Sequence, residues 1–475
     1  MVDQKVITQT PAKEIIALFE LQKAHQFEVG NRTAAQRIAS LKRLHKAVLH
    51  YRDEIKEALY NDFRKHPSEV DMTEVYPVTA LLKHVRRNLS RWMRNARVST
   101  PISLFGSSSY IKHEPKGVVL IMSPWNFPFM LTLGPMICAV AAGNTVIVKP
   151  SEHTPNASAI MKKIIEETFS ENEVKLIEGG VETAKTLLNL PFNHIYFTGA
   201  PEIGKKVMMA AAKNLASVTL ELGGKSPTIV LDSANIDLAA RRIAVGKYVN
   251  NGQVCLAPDY VFVHESVKDK FIEAVKKHLR SFYSEEASNE PSYCRMVNNR
   301  HHGRVKDLYD DAVAKGATVE TGGQFDDSHD YISPTVLTNV PENSTIMKEE
   351  IFGPVLPVIS FKDLNEVIQK VNSKEKPLAL YIYGRNRKKI RYILDNTRAG
   401  GSCINHNSVH FFNLNLPFGG SNNSGIGKGN GVYGFKEFSN ERAVLNQHIP
   451  NAIDLLVPPY NDFKQRLIEF TVKYL

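Results

Sequence analysis

Between Gly117 and Leu222 the chain carries five short, mostly apolar runs whose spacing leaves few folds open. They are Val118–Met122, Thr145–Val148, Val174–Ile177, His194–Phe197 and Val218–Leu220. A strand buried on both faces reads as such a run, whereas a strand with one wet face alternates. Segments of helical periodicity fill the intervals, so each strand must rejoin the sheet through a right-handed crossover and the strands run parallel. A second alternating region starts at Thr228 and runs past Asn405. The expected fold class is therefore α/β, and 475 residues exceed what one core accommodates.

Before this region the chain reads as helices, from about Pro11 to Trp92. Ile38, Leu41, Leu44, Val48, Ile55 and Leu59 recur at helical spacing, as do Val75, Val78, Leu81, Leu82, Val85 and Leu89. Val98–Lys116 breaks that pattern with serines, Pro101 and Gly106 among β-prone residues, which predicts a protruding hairpin.

Charge and cysteine usage remove several function classes. The net charge of +10 is spread along the chain, and its densest runs, Lys83–Arg97 and Arg385–Arg391, read as solvated helix faces. No basic motif interleaved with aromatics accompanies it, so nucleic acid is not an expected partner; attraction of an anionic cofactor is the better use of the charge. Cys138, Cys255, Cys294 and Cys403 show neither pairing nor metal-ligand spacing, and no metal is expected. The polar N-terminus predicts no signal peptide, and no apolar run reaches the ~20 residues of a membrane span. A reducing, cytoplasmic location fits these features.

Ligands of parallel sheets sit beyond the carboxyl ends of the strands, and the chemically informative residues fall there. The first strand leads into Pro124-Trp125-Asn126-Phe127-Pro128, where flanking prolines restrict the loop. Asn126 is either a turn former or an amide donor to a developing oxyanion. After the second strand, Lys149 and Glu152 are either a surface ion pair or a ribose-binding pair. The fourth ends in Phe197-Thr198-Gly199-Ala200-Pro201-Glu202-Ile203-Gly204, two glycines at a helix start that suit a pyrophosphate. The fifth carries Glu221 in Glu-Leu-Gly-Gly-Lys-Ser-Pro, and a helical segment, Leu238–Val249, then leads to Gly-Gln-Val-Cys at Cys255. A carboxylate and a thiol at element ends can supply a base and a nucleophile; the bland reading is a surface Glu and a buried structural Cys.

The pair Glu-Leu-Gly-Gly-Lys-Ser-Pro and Gly-Gln-Val-Cys resembles the active site of the aldehyde dehydrogenase superfamily, over nearly the whole chain and closest to its short, class 3-like branch. The resemblance implies a Rossmann-like cofactor-binding domain (1–97 and 117–220), a bridging and oligomerisation hairpin (98–116), an α/β catalytic domain (221–415) and a C-terminal segment (416–475) that returns to the cleft and ends in an amphipathic helix. It also implies NAD(P)-dependent oxidation of an aldehyde substrate to its acid. Cys255 would be the nucleophile, Glu221 the general base and Asn126 the oxyanion donor. Trp125, Lys149, Glu152, Gly199, Gly204, Leu222, Glu350 and Phe352 would position the cofactor.

Glu152 argues for NAD, because a carboxylate accepts from a vicinal diol and repels a 2′-phosphate; NADP remains open, as in class 3-like relatives. Ala200 stands where the family usually has Ser, and His406 stands where relatives often carry a carboxylate, a reading that makes it a tuner of the substrate entrance. Two alternatives stay open at this point: a CoA-acylating dehydrogenase, which the retained Glu221 opposes, and a non-catalytic binding or structural protein on the same fold. A homodimer is expected. Tyr460, Phe463, Leu467, Ile468, Phe470, Val472 and Leu475 fall mostly on one side of a short terminal helix. That helix could pack on a partner subunit, cap the substrate mouth or rest on an anionic membrane. Dimer packing is expected, and peripheral membrane contact is not.

Overall fold

The structure, a computed structural model, describes residues 9–450 and 452–474. Helices Ala12–Gly30, Ala34–His50, Arg52–Phe63 and Tyr76–Trp92 come first. Thr33 and Gln36 form a reciprocal capping box at the second of these, satisfying donors that a helix start leaves open. Tyr76–Trp92 buries Val78, Leu81, Leu82, Val85 and Leu89 on the face that the periodicity marks. Between Phe63 and Tyr76 lies an irregularity the sequence does not announce: a single turn, Pro67–Val70, runs into a π-helical turn, Asp71–Val75. Such widened turns are rare and cluster at functional sites.

The apolar runs form one sheet. Its order is Gly425–Ile426, Ser217–Leu222, His194–Gly199, Val118–Met122, Thr145–Lys149 and Val174–Leu176. All neighbours are parallel except Gly425–Ile426, which pairs antiparallel with Glu221 and Leu220. Val118–Met122 and Thr145–Lys149 are buried at every position, as continuous apolar runs require. Strand order reverses beside Val118–Met122, and ligands of such sheets bind beyond the carboxyl ends at this switch point.

A second sheet takes the order Thr318–Thr321, Thr335–Thr338, Val355–Phe361, Tyr260–His264, Pro227–Val230, Ala379–Tyr383 and Gly401–Ile404. Only its first pair is antiparallel. An antiparallel pair, Ala96–Val98 with Ser107–Pro115, lies where a hairpin over 98–116 is expected, with its first strand starting earlier, and a third strand joins it. That strand, Ser439–Gln447, pairs in unbroken register from Ser439 opposite Pro115 to Gln447 opposite Ser107. Its mostly exposed positions give it no apolar signature.

The terminal helix, Asp462–Tyr474, has no buried residue, and Phe463, Phe470 and Val472 are exposed. Tyr460 precedes it, and Leu475 lies outside the described residues. No helix among the described residues is long and apolar enough to cross a membrane.

Candidate active site

Cys255 follows a segment bent by two consecutive left-handed asparagines, Asn250 (φ 51°) and Asn251 (φ 54°). Asparagine tolerates this backbone better than most residues. The bend brings the cysteine loop against the Trp125-Asn126 loop. The Asn126 amide donates to the Gln253 carbonyl at 3.0 Å, and the Asn250 amide reaches both the Asn126 and Gln253 carbonyls, at 2.9 and 3.1 Å. An amide nitrogen carries two hydrogens, so Asn126 keeps a donor beyond the one given to Gln253.

Charges that the sequence reading missed brace these loops from behind. Lys65 and Glu74 form a fully buried ion pair at 2.9 Å. Lys65 also donates to the Asn126 carbonyl at 3.4 Å, and its ammonium lies 4.6 Å from the centre of the Phe127 ring. Glu74 accepts the Met130 amide, and Glu69 accepts the Asn250 amide at 2.9 Å. Glu69 and Glu74 are five residues apart, and the π turn between them turns both inward. Helical spacing gives no hint of that, although the Arg64-Lys65-His66-Pro67 break between two helical patterns marks where to look.

Burial raises the Cys255 thiol first, and the nearby Glu350 and Glu221 carboxylates raise it further. Backbone N–H groups of Cys255 and Leu256 oppose the shift by donating to the sulfur. Burial and the two carboxylates thus favour the neutral thiol. Glu350 is pushed up to about 8, by burial and then by Asp259; the Gly224 N–H, Arg304 and Lys225 pull the other way.

Glu221 is buried on Ser217–Leu222 and is pushed up to about 7, chiefly by burial. The Tyr196 hydroxyl donates to its Oε1 at 2.5 Å and, with Lys428, opposes that shift; Glu437 adds to it. The carboxylate and Tyr196 border an apolar pocket walled by Tyr76, Met130, Leu131, Phe411, Phe412 and Leu414. Tyr76 and Phe412 are exposed and mark its outer end. Cys255 does not line this cavity. Phe411 and Phe418 belong both to its wall and to the apolar cluster on which Cys255 packs. His406, expected at a substrate entrance, hydrogen-bonds to the Asn407 backbone and is not part of the wall.

Trp125, Lys149, Glu152, Gly199 and Leu222, expected to hold a cofactor, lie at or just past the carboxyl ends of the first sheet's strands. Trp125 and Phe352 meet edge to face at 5.4 Å, with Phe352 in a left-handed backbone conformation. Lys149 and Glu152 pair at 3.3 Å at the end of their strand, and Lys149 is buried. Gly199 ends its strand against the Phe197 ring. A side chain at Gly204 would come within 2.8 Å of Leu222, so this glycine lets helix Pro201–Ala212 pack tightly on the strand, and Leu222 is buried beneath it. That helix starts without a side-chain cap; Pro201 has no N–H and the Ile203 and Gly204 amides donate to the Ala200 carbonyl, which leaves the Glu202 N–H as the helical donor for a phosphate. These features fit a dinucleotide. All four cysteines are free, and no cluster of three or more potential metal ligands occurs among the described residues.

The aldehyde dehydrogenase family profile matches residues 3–444. A 4,4'-diaponeurosporen-aldehyde dehydrogenase of Staphylococcus aureus is 43% identical over 88% of this chain and 91% of its own length. A rat enzyme described as dimeric and NADP-preferring is 40% identical over 90% of this chain and 93% of its own. The solved structure of Staphylococcus aureus AldH in a substrate-bound state superposes with a TM-score of 0.92 at 41% identity, covering 96% of this chain and 99% of that one. With the strand ends, the thiol loop and the buried carboxylate in place, these matches show that the chain belongs to the aldehyde dehydrogenase family and is an NAD(P)-dependent oxidoreductase acting on aldehydes.

Proposed function

We propose that the chain oxidises apolar aldehydes to carboxylates through a covalent adduct on Cys255. The observation that carries this reading is the thiol loop locked against Asn126 beside the buried Glu221. The Cys255 thiol gives up its proton to water as its sulfur adds to the aldehyde carbon. The Asn126 amide hydrogen not given to Gln253 and the Cys255 backbone N–H stabilise the resulting thiohemiacetal oxyanion. A nicotinamide, when bound, would supply the acceptor for the hydride lost from the adduct carbon as a thioester forms on Cys255. Glu221 then removes a proton from water as the water attacks the thioester, releasing the acid and the free thiol.

For the cofactor, Lys149 and Glu152 would hold the adenosine ribose, and the start of helix Pro201–Ala212 with Gly199 and Gly204 would hold the pyrophosphate. Glu350, Phe352 and Trp125 would border the nicotinamide half, with Leu222 forming the floor. The Lys149–Glu152 pair supports a preference for NAD with NADP admitted. The apolar wall from Tyr76 to Leu414 supports an apolar substrate tail, in line with the aldehyde for which the Staphylococcus aureus relative is named. We propose a homodimer as the working assembly and no bound nucleic acid.

Acid quenching during turnover, followed by peptide mass spectrometry, tests the reading. An acyl group of the substrate's mass on the peptide containing Cys255 is the expected result. Turnover with no adduct on that peptide in a stalled enzyme would overturn it.

A further inference from the structure

Resting on the reading of Glu221 as the general base, we propose that Tyr196 is its positioning residue, holding and tuning the carboxylate that activates water. Tyr196 lies on His194–Gly199, one strand over from Glu221. In that register Tyr196 faces Thr219 and Thr198 faces Glu221, so Tyr196 and Glu221 are diagonal neighbours on one face of the sheet. The phenol is buried, and a buried hydroxyl needs a partner. Here the partner is the Glu221 carboxylate, at 2.5 Å.

The contact is built from several sides. The Phe438 ring stacks on Tyr196 at 5.5 Å and fixes its plane. Gly429 comes so close that a Cβ there would lie 2.9 Å from Glu221 Oε1 and 3.1 Å from the Tyr196 oxygen. Any side chain at Gly429 would therefore displace the pair.

Other charged or titratable groups face Glu221 without replacing this bond. Lys428 spends its ammonium on the Gly419 and Gly420 carbonyls, at 2.7 and 2.8 Å. Glu437 accepts from the Thr219 hydroxyl at 2.7 Å and from the Lys428 backbone at 3.2 Å. Cys138, on helix Pro128–Ala142, is buried and is pushed up to about 12 by burial and by Glu221, so it stays a neutral thiol. Burial and nearby carboxylates likewise favour the neutral Cys255 thiol. Tyr196 is raised well above its ordinary value by burial, so it remains a proton donor across the working pH range.

The direction of the effect follows. A hydroxyl that donates to the carboxylate favours its ionised, base-competent form. Without that donor, Glu221 holds its proton to higher pH, and water activation begins later on the pH axis. Formation of the thioester does not use this carboxylate as a base and is left in place.

The test is Tyr196→Phe in the full-length enzyme, with NAD and a small aldehyde. A pre-steady-state burst of NADH counts folded, acylating sites in each variant. The expected result is a burst amplitude like that of the wild type, with the rising limb of the steady-state pH profile moved up by about one unit. Turnover at neutral pH would then fall by up to ~10-fold and recover at alkaline pH. Gly429→Ala, which pushes a methyl group into the contact, should move the limb in the same direction. A limb that stays in place in both variants, normalised to their bursts, overturns the proposal. Glu221→Gln run in parallel separates the two levels: wild-type turnover in that variant would refute Glu221 as the base. A stalled Glu221→Gln beside an unmoved Tyr196→Phe limb would refute the role of Tyr196 alone.

Discussion

The two halves of the site are held in opposite ways. The thiol half is pinned: Asn126, Asn250 and Gln253 exchange hydrogen bonds across two loops, and a buried Lys65–Glu74 pair braces them from behind. The base half is held through one contact: Glu221 borders an apolar pocket, and its carboxylate takes a hydrogen bond from Tyr196, whose ring stacks on Phe438. The difference matches the chemistry proposed for each. An oxyanion site works through donors fixed before charge develops. A base that must accept a proton, release it and admit water works better with a proton-donating partner and an ionisation near neutrality. Glu221, pushed up to about 7, is so placed.

If the thiol half is the pinned one, the largest losses belong there. Cys255→Ser should still bind NAD, measured by fluorescence titration, yet lose nearly all turnover, because an alkoxide is far harder to form than a thiolate. Wild-type-like turnover would place the nucleophile elsewhere.

Next in size is Asn126→Ala, which should lower kcat by roughly 10²–10³ with the burst itself slowed. An effect confined to KM would move Asn126 from the oxyanion to substrate binding.

The smallest expected effect sharpens the electrostatic side of the comparison. The Glu350 carboxylate favours the neutral Cys255 thiol. Glu350→Gln removes that negative charge, so the thiol ionises at lower pH. At about pH 9, where a carboxyl pushed up to about 8 is ionised, the cofactor-free variant should be alkylated by iodoacetamide at Cys255 about three- to tenfold faster than the wild type. Unchanged or slower alkylation would mean that burial alone controls the thiol.

Legibility in the sequence divides along the same line. Val118–Met122 and Thr145–Lys149 were readable because burial on both faces leaves an unbroken apolar run. The Asn126 and Cys255 loops were readable because proline and glycine punctuation sets them at element ends. Lys65, Glu69 and Glu74 were not, because a π turn brings them together at a spacing that helical periodicity does not sample. Tyr196 read as one more strand aromatic, since its partner lies on the next strand and depends on register. Ser439–Gln447 stayed hidden because its polar, exposed residues carry no strand signal and its partner is far away in the chain.

On this mechanism, acylation at Cys255 and deacylation at Glu221 are separable functions of two differently held regions. A stopped-flow burst with Glu221→Gln tests this most directly. The mechanism predicts a rapid release of about one NADH per active site, as expected when acylation proceeds but its base-assisted hydrolysis does not, followed by a steady rate lowered by roughly 10²–10⁴. A variant that turns over at the wild-type steady rate, or one that is folded and binds NAD but shows no burst, would contradict it.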